Sequence, residues 1–135
     1  MYKILSKTPS ECFNRLKEES NSILIDVRTR AEWGMDGVAD LKEIDRDVIF
    51  LEWIKSPFIG IDKRFFDLFS KNVDIDKPSS YYFICAAGVR SLEAATHIDN
   101  ILRKMEMNSK CFNVSFGFEG SVEGWKAIGL PWKRI

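Results

Sequence analysis

The stretch Phe83-Ile84-Cys85-Ala86-Ala87-Gly88-Val89-Arg90-Ser91 places a cysteine at the end of an apolar run and at the start of a short loop of small residues. The apolar run predicts a buried strand, and a helix is predicted behind the loop. Apolar residues recur there at helical spacing: Leu92, Ala95, Ile98, Leu102 and Met105. Gly88 lets successive backbone N–H groups of the loop turn inward. The positive end of the predicted helix points at the same spot. The loop therefore predicts an anion-binding cradle.

Cys85 is the candidate nucleophile. A helix N-terminus and a nearby arginine both favour a thiolate, so we expect Cys85 to be ionised at neutral pH. Ser91 is predicted to be the N-cap of the helix, and Arg90 to donate to loop carbonyls or to a bound anion. The alternative is that Cys85 is a small apolar residue that closes a core strand, but it gives the glycine, the arginine and the cap no role.

The segment from Cys85 to Ser91 resembles the active-site loop of the rhodanese family, in which a cysteine begins a loop that leads into a helix. Two further stretches resemble the family, in the family's order. Leu24-Ile25-Asp26-Val27-Arg28-Thr29 with Ala31-Glu32-Trp33 is similar to its first core strand, and Gly117-Phe118-Glu119-Gly120 with Trp125 and Gly129-Leu130-Pro131 is similar to its C-terminal signature.

The sequence departs from the family pattern in three places. Gly34 to Asp40 lacks the histidine that usually follows the first strand. A long segment lies between Leu51 and Lys71. Ala86 stands where many thiosulfate-using members have a basic residue, which leaves the sulfur donor open.

The resemblance implies an α/β rhodanese-like fold over residues 1–135 as a single domain, with a mainly parallel sheet of about five strands and helices on both faces. It implies that the Cys85 thiolate attacks the outer sulfur of a small-molecule donor such as thiosulfate or a persulfide. The resulting persulfide passes to a thiol acceptor or to cyanide, without a metal or organic cofactor. A protein acceptor is left open. The predicted substrate-binding residues are Ala86, Ala87, Gly88, Val89, Arg90, Ser91 and Arg28.

Two other function classes compete with sulfur transfer. A cysteine phosphatase or arsenate reductase of the same fold would use a similar cradle for an oxyanion, but its loop is one residue longer than the four residues between Cys85 and Arg90. A non-catalytic binding module would usually have lost the cysteine.

The composition fits one globular domain of 135 residues, with 45% hydrophobic and 30% charged residues. Lys+Arg and Asp+Glu number 20 each, so the net charge is zero and no nucleic-acid partner is expected. No apolar run approaches the ~18 residues of a membrane span, and no signal peptide is recognisable. We therefore expect a cytoplasmic protein without a membrane partner.

Three widely spaced cysteines, Cys12, Cys85 and Cys111, favour a reducing compartment over a disulfide framework or a zinc site. Cys12 is predicted on the apolar side of the first helix with Leu16. Cys111 is predicted to open a strand in which Phe112, Val114 and Phe116 alternate. Both are interpreted as structural, and a role as resolving thiol stays open if either lies near Cys85.

Local patterns predict the remaining elements. Thr8-Pro9-Ser10-Glu11 is a capping box that begins a helix over 9 to about 19. Strands are predicted over 23–27, 48–51, 81–85 and 111–116. Asp62 is predicted to cap a helix that presents one apolar face: Phe65, Leu68 and Phe69.

Other polar and aromatic residues have ordinary structural interpretations. Asp26 is favoured as a buried anchor that accepts backbone N–H groups. Arg28 is predicted either to pair with Asp26 or Glu32 or to add positive charge at the rim. His97 is predicted to pair with Glu93 on a solvated helix face. Core positions or pocket walls are predicted for Trp33, Trp53 and Trp125, and a substrate entrance for Phe58 and Gly60.

Overall fold

The computed structural model describes residues 3–53, 55–56, 60–61 and 64–135. In this part of the chain, a β-sheet lies between two layers of α-helices. The helices are α1 (Pro9–Glu18), α2 (Arg30–Asp36), α3 (Phe65–Asn72) and α4 (Val89–Lys104), with a 3-10 turn at Lys42–Ile44. The strands are β1 (Leu5–Lys7), β2 (Ser22–Asp26), β3 (Val38–Ala39), β4 (Val48–Phe50), β5 (Lys55–Ser56), β6 (Gly60–Ile61), β7 (Ser80–Ile84), β8 (Lys110–Val114) and β9 (Trp132–Lys133).

The central sheet has five strands in the order β1-β8-β7-β2-β4, and every neighbouring pair is parallel. Two short antiparallel pairs, β3 with β9 and β5 with β6, lie outside it. The predicted α/β fold with a parallel sheet of five strands is confirmed.

Residues that alternate along each strand face two separate cores. One core joins Ile25 and Phe83 to apolar side chains of α3 and α4, and the other joins Leu24 and Ile84 to side chains of α1. Helices therefore cover both faces of the sheet, as expected for parallel strands whose sequences are almost continuously apolar.

The predicted capping box at the start of α1 is confirmed. The Thr8 hydroxyl oxygen accepts the Glu11 N–H at 3.2 Å, and Oε1 of Glu11 accepts the Thr8 N–H at 2.9 Å. Cys12 and Leu16 are fully buried on this helix, so its predicted apolar side is also correct. A second capping box, between Thr29 and Glu32, starts α2.

The apolar faces of α3 and α4 differ from the predicted ones. The N-cap of α3 is Arg64 rather than Asp62, which lies outside the described residues, and Leu68 is 43% exposed while Phe65 and Phe69 are buried. Leu92 of α4 and Met105, its C-cap residue, are also exposed. The buried face of α4 comprises Ser91, Ala94, Ala95, Ile98, Asp99 and Leu102.

The strand predicted to reach Phe116 ends two residues earlier. β8 stops at Val114, and Phe116 adopts a left-handed backbone conformation with φ +64° and a partly exposed ring. The predicted strand with Cys111 near its start and with Phe112 and Val114 alternating is present, but its extension to Phe116 is wrong because the chain turns there.

None of the helices in the described ranges is long and apolar enough to cross a membrane.

The two faces of α3 give a direct test of this packing. Phe69→Ala should lower the free energy of unfolding by about 3–5 kcal/mol, because Phe69 packs in the core against Tyr81 at a ring-centroid distance of 4.9 Å. Leu68→Ala is the matched control and should change it by less than about 0.5 kcal/mol. Urea unfolding followed by circular dichroism measures both. Equal losses would contradict the observed orientation of α3.

Candidate active site

Cys85 lies directly after β7, a strand flanked by β2 and β8 within the sheet. Ile84 is in register with Asp26, the last residue of β2, so both strands end at the same sheet edge. Ligands of open parallel sheets bind at such C-terminal edges. Cys85 itself is 1% exposed, so the sulfur is almost completely enclosed.

Three groups of the following loop contact the Cys85 sulfur. The backbone N–H of Gly88 donates to Sγ at 3.1 Å and the backbone N–H of Ser91 donates at 3.3 Å. The Ser91 hydroxyl lies 3.1 Å from Sγ. Converging N–H donors of this kind stabilise a negative charge on the atom they surround.

The sulfur occupies the place of a helix cap. Gly88, with φ +94°, is the N-cap residue of α4, and no side chain of its own caps the helix. Ser91 is therefore the third residue of the helix and not its N-cap, which corrects the prediction. Its N–H, one of the donors that a helix leaves unpaired, bonds to Cys85 Sγ instead. The Cys85 sulfur thus accepts a hydrogen bond directly from the N-terminal turn of α4.

Asn113 of β8 completes the contacts of Ser91. The Ser91 hydroxyl donates to Asn113 Oδ1 at 2.6 Å, and Asn113 Nδ2 donates to the Gly88 carbonyl at 3.2 Å. Sequence analysis missed Asn113. The available signal was a polar residue within the apolar run of β8, where a buried amide requires partners.

The Gly117 segment holds the loop from the other side. Phe118 N–H donates to the Cys85 carbonyl at 2.8 Å, and Glu119 N–H donates to the Ala86 carbonyl at 2.9 Å. Gly117 has φ +56°, and a Cβ there would lie 2.5 Å from both carbonyl oxygens. Only glycine permits this approach.

Arg90 binds a carboxylate of α2. Its Nη1 and Nη2 donate to Glu32 Oε1 at 2.6 Å and Oε2 at 2.9 Å. These bonds hold the pKa of Glu32 at about 2 and raise the pKa of Arg90. The guanidinium therefore bonds to Glu32, where the sequence predicted loop carbonyls or a bound anion.

Arg28 is buried in a second pair. Its side chain is fully buried and donates to Asp26 Oδ2 at 2.7 Å and to the Gly37 carbonyl at 2.8 Å. Asp26 Oδ1 also accepts the Arg28 backbone N–H at 3.0 Å. The predicted Asp26 pairing is present. The burial contradicts the prediction that Arg28 lies at the rim and binds substrate, because a guanidinium enclosed in this way cannot reach a ligand.

The rest of the loop forms the accessible part of the site. Ala86 and Gly88 are half-buried, and Ala87 and Val89 are exposed. The predicted entrance residue Phe58 lies outside the described residues, and Gly60 is described only as part of β6. In the ranges that the structure describes, no three metal-ligating side chains cluster.

The predicted core tryptophans Trp33, Trp53 and Trp125 are buried. His97 packs against the Trp53 ring at a centroid distance of 5.4 Å, and partial burial lowers the pKa of its imidazole. His97 thus has an aromatic packing contact in addition to any pairing on its helix face.

The chain has relatives of similar length. It is 36% identical over 126 residues to an uncharacterised protein of Rickettsia conorii, and the match covers 92% of this chain and 93% of that protein. The chain belongs to the same family as this rickettsial protein. No protein-family model matches the chain.

Solved structures show the type of fold. Rv0390 from M. tuberculosis is 27% identical, with a TM-score of 0.80 and coverage of 99% of this chain and 100% of that chain. A rhodanese-like domain protein from Staphylococcus aureus is 22% identical, with a TM-score of 0.60 and coverage of 98% and 99%. This chain has the rhodanese-like fold.

Structural neighbours with this fold carry different functional descriptions. The polysulfide-sulfur transferase homodimer from Wolinella succinogenes is 20% identical, with a TM-score of 0.66 and coverage of 98% of this chain and 80% of that chain. A possible tyrosine phosphatase from Rhodopseudomonas palustris is 18% identical, with a TM-score of 0.59 and coverage of 96% and 85%. These structural similarities establish the fold and do not define the reaction.

Neither of the other two cysteines adjoins Cys85, the candidate nucleophile. Cys12 lies in the core on the opposite face of the sheet. Cys111 is in register with Tyr81, four residues before Cys85, which places it roughly 13 Å away along the strand direction. Burial raises the pKa of both thiols. This separation excludes a resolving role in the described arrangement.

Gly117→Ala should disrupt the loop that carries Cys85. The added methyl group would meet two carbonyl oxygens, so the loop must shift and the free energy of unfolding should fall by more than the ~1–2 kcal/mol cost of an alanine at positive φ. Gly129→Ala is the matched control, because Gly129 has φ +80° and no atom within 4 Å of its added Cβ. Urea unfolding measures both variants. Equal losses would show that the close approach of Gly117 is unimportant.

The Glu32–Arg90 pair should make stability depend on pH. The folded-state pKa of Glu32, about 2, lies below its ordinary value of 4.5, so the pair contributes fully above pH 4.5 and its contribution is lost as the pH falls towards 2. Glu32→Gln should therefore be less stable than the wild type at neutral pH and equally stable near pH 2. Chemical unfolding across this range measures the difference, with the exposed Glu123→Gln as a control for loss of a surface charge. A difference that does not change with pH would contradict the pairing.

Proposed function

We propose that this rhodanese-like domain is a sulfurtransferase that carries sulfane sulfur on Cys85. The observation that supports it most is the pair of N–H donors, from Gly88 and Ser91, that converge on the sulfur. Such donors stabilise an anionic sulfur, as an oxyanion hole stabilises an anionic oxygen. The loop groups expected around the substrate are Ala86, Ala87, Gly88, Val89 and Arg90.

The proposed reaction has two displacement steps. The Cys85 thiolate attacks the outer sulfur of a donor such as thiosulfate. A new S–S bond forms, the donor's S–S bond breaks, and sulfite leaves with the electron pair. An acceptor thiolate then attacks the outer sulfur of the Cys85 persulfide and leaves as a new persulfide, which returns the thiolate. Each step conserves charge and requires no oxidant or reductant.

The size of the loop favours sulfur over phosphate as the transferred group. Four residues separate Cys85 from Arg90, and the N–H groups of Gly88 and Ser91 point at Sγ within 3.3 Å. A ring this small suits a single added sulfur atom, whereas a phosphoryl group carries three further oxygens. The cysteine phosphatase or arsenate reductase remains the competing enzyme, and a binding module would have no use for the cradle.

The proposed partners are a small-molecule donor, thiosulfate or a persulfide, and a thiol acceptor, either small or on a protein. We place the reaction in the cytoplasm, because the three cysteines are free and a reducing compartment keeps thiols in that state. No organic cofactor or metal enters the proposed mechanism.

Persulfide formation tests the proposal directly. After incubation with thiosulfate or polysulfide, the intact mass of the wild type should rise by one sulfur atom, and dithiothreitol should reverse the gain. Cys85→Ser should gain nothing. Cys111→Ser is the matched control and should behave as the wild type, because Cys111 is buried far from the loop.

Hydrolysis of a small aryl phosphate by the wild type, lost in Cys85→Ser, would replace this proposal with the phosphatase. No mass gain with any donor, and no hydrolysis, would favour the binding module.

The residue after the cysteine should influence the choice of donor. Ala86→Arg adds a cation beside the loop, so we expect a lower Michaelis constant for dianionic thiosulfate, with the largest effect at low salt. Ala86→Met is the control for side-chain size. Steady-state kinetics at two ionic strengths measure the effect. The charge argument fails if arginine and methionine give the same result at both.

A further inference from the structure

The arginine of the active-site loop is neutralised by a residue from another part of the chain. Arg90 is the second residue of α4, and its guanidinium forms two hydrogen bonds to Glu32. The two side chains are 33% and 25% exposed, so the pair faces solvent at the edge of the site. The other arginine at this sheet edge, Arg28, is fully buried and paired with Asp26. Each of these two positive charges therefore has a carboxylate beside it.

Glu32 is held in place for this role by its own helix. Its Oε1 accepts the Thr29 N–H at 3.2 Å and the Thr29 hydroxyl at 3.0 Å, as part of the capping box of α2. The same oxygen accepts the shorter bond from Arg90. With the second bond from Arg90 to Oε2, the carboxylate accepts four hydrogen bonds, and these hold it beside Arg90 in the absence of a ligand.

We propose that Glu32 is a specificity-determining residue that selects against doubly charged sulfur donors by neutralising Arg90. The inference rests on the proposed sulfur-transfer function. Because Glu32 neutralises Arg90, the loop N–H groups are the groups that bind an anion at Cys85. Their dipoles stabilise a single negative charge. A dianion such as thiosulfate needs a net positive site to offset its second charge, and the Glu32 carboxylate removes that offset.

Two sulfur donors that differ by one charge isolate this effect. Thiosulfate is a dianion, and methanethiosulfonate is a monoanion with the same terminal sulfur on a sulfonyl group. In both, the Cys85 thiolate attacks the terminal sulfur, and either sulfite or methanesulfinate leaves with the electron pair. The readout is the ratio of kcat/KM for thiosulfate to that for methanethiosulfonate.

Glu32→Gln should raise this ratio about tenfold at low salt, and the gain should shrink as ionic strength rises. Glutamine preserves the capping box, since it can accept the same Thr29 hydrogen bonds. The double variant Glu32→Gln with Arg90→Gln should lose the gain, because no cation remains to be exposed. Circular dichroism checks that each variant is folded.

The outcomes separate this inference from the function on which it rests. If both donors load sulfur on Cys85 but Glu32→Gln leaves their ratio unchanged or lowers both rates equally, Glu32 is structural and the inference is overturned. A gain that persists in the double variant also overturns it, because the gain would not come from Arg90. If neither donor adds sulfur to the wild type, the sulfurtransferase proposal fails and the inference fails with it.

Discussion

The buried ion pair between Asp26 and Arg28 is the constraint on which the site depends. A fully buried guanidinium needs partners inside the protein. Arg28 has Asp26, the Gly37 carbonyl and the ring of Phe118, whose centroid lies 4.3 Å away, while its Nη1 has no hydrogen-bond partner among the described residues. Phe118 in turn donates its N–H to the Cys85 carbonyl. The end of β2, the end of α2 and the Cys85 loop are therefore held by one chain of contacts.

Local patterns predicted the sheet and α1, because the groups that determine them are close in sequence. Thr8 and Glu11 form their capping box three residues apart. The buried face of α4 was predictable only in part, since Ala95, Ile98 and Leu102 are buried as predicted. Its buried face begins at Ser91, which is drawn inward by Cys85 and by Asn113, while the apolar Leu92 faces solvent. Apolar periodicity cannot detect a face that starts with a hydroxyl group.

The loop was predictable from its residue types, whereas its partners were not. A cysteine, a glycine and an arginine at this short spacing are enough to predict an anion-binding loop. Glu32 lies 58 positions before Arg90, and Asn113 lies 22 positions after Ser91. Such pairs are set by how the strands align at the sheet edge, and that alignment is a tertiary property.

The enclosure of the Cys85 sulfur bears on oxidative damage. Thiolates are oxidised stepwise to sulfenic and sulfinic acids, and exposed ones react fastest. Here two N–H groups and a hydroxyl surround the sulfur, and its residue is 1% exposed. Because an oxidant must contact the sulfur, this enclosure limits the oxidation of Cys85 relative to that of an exposed cysteine.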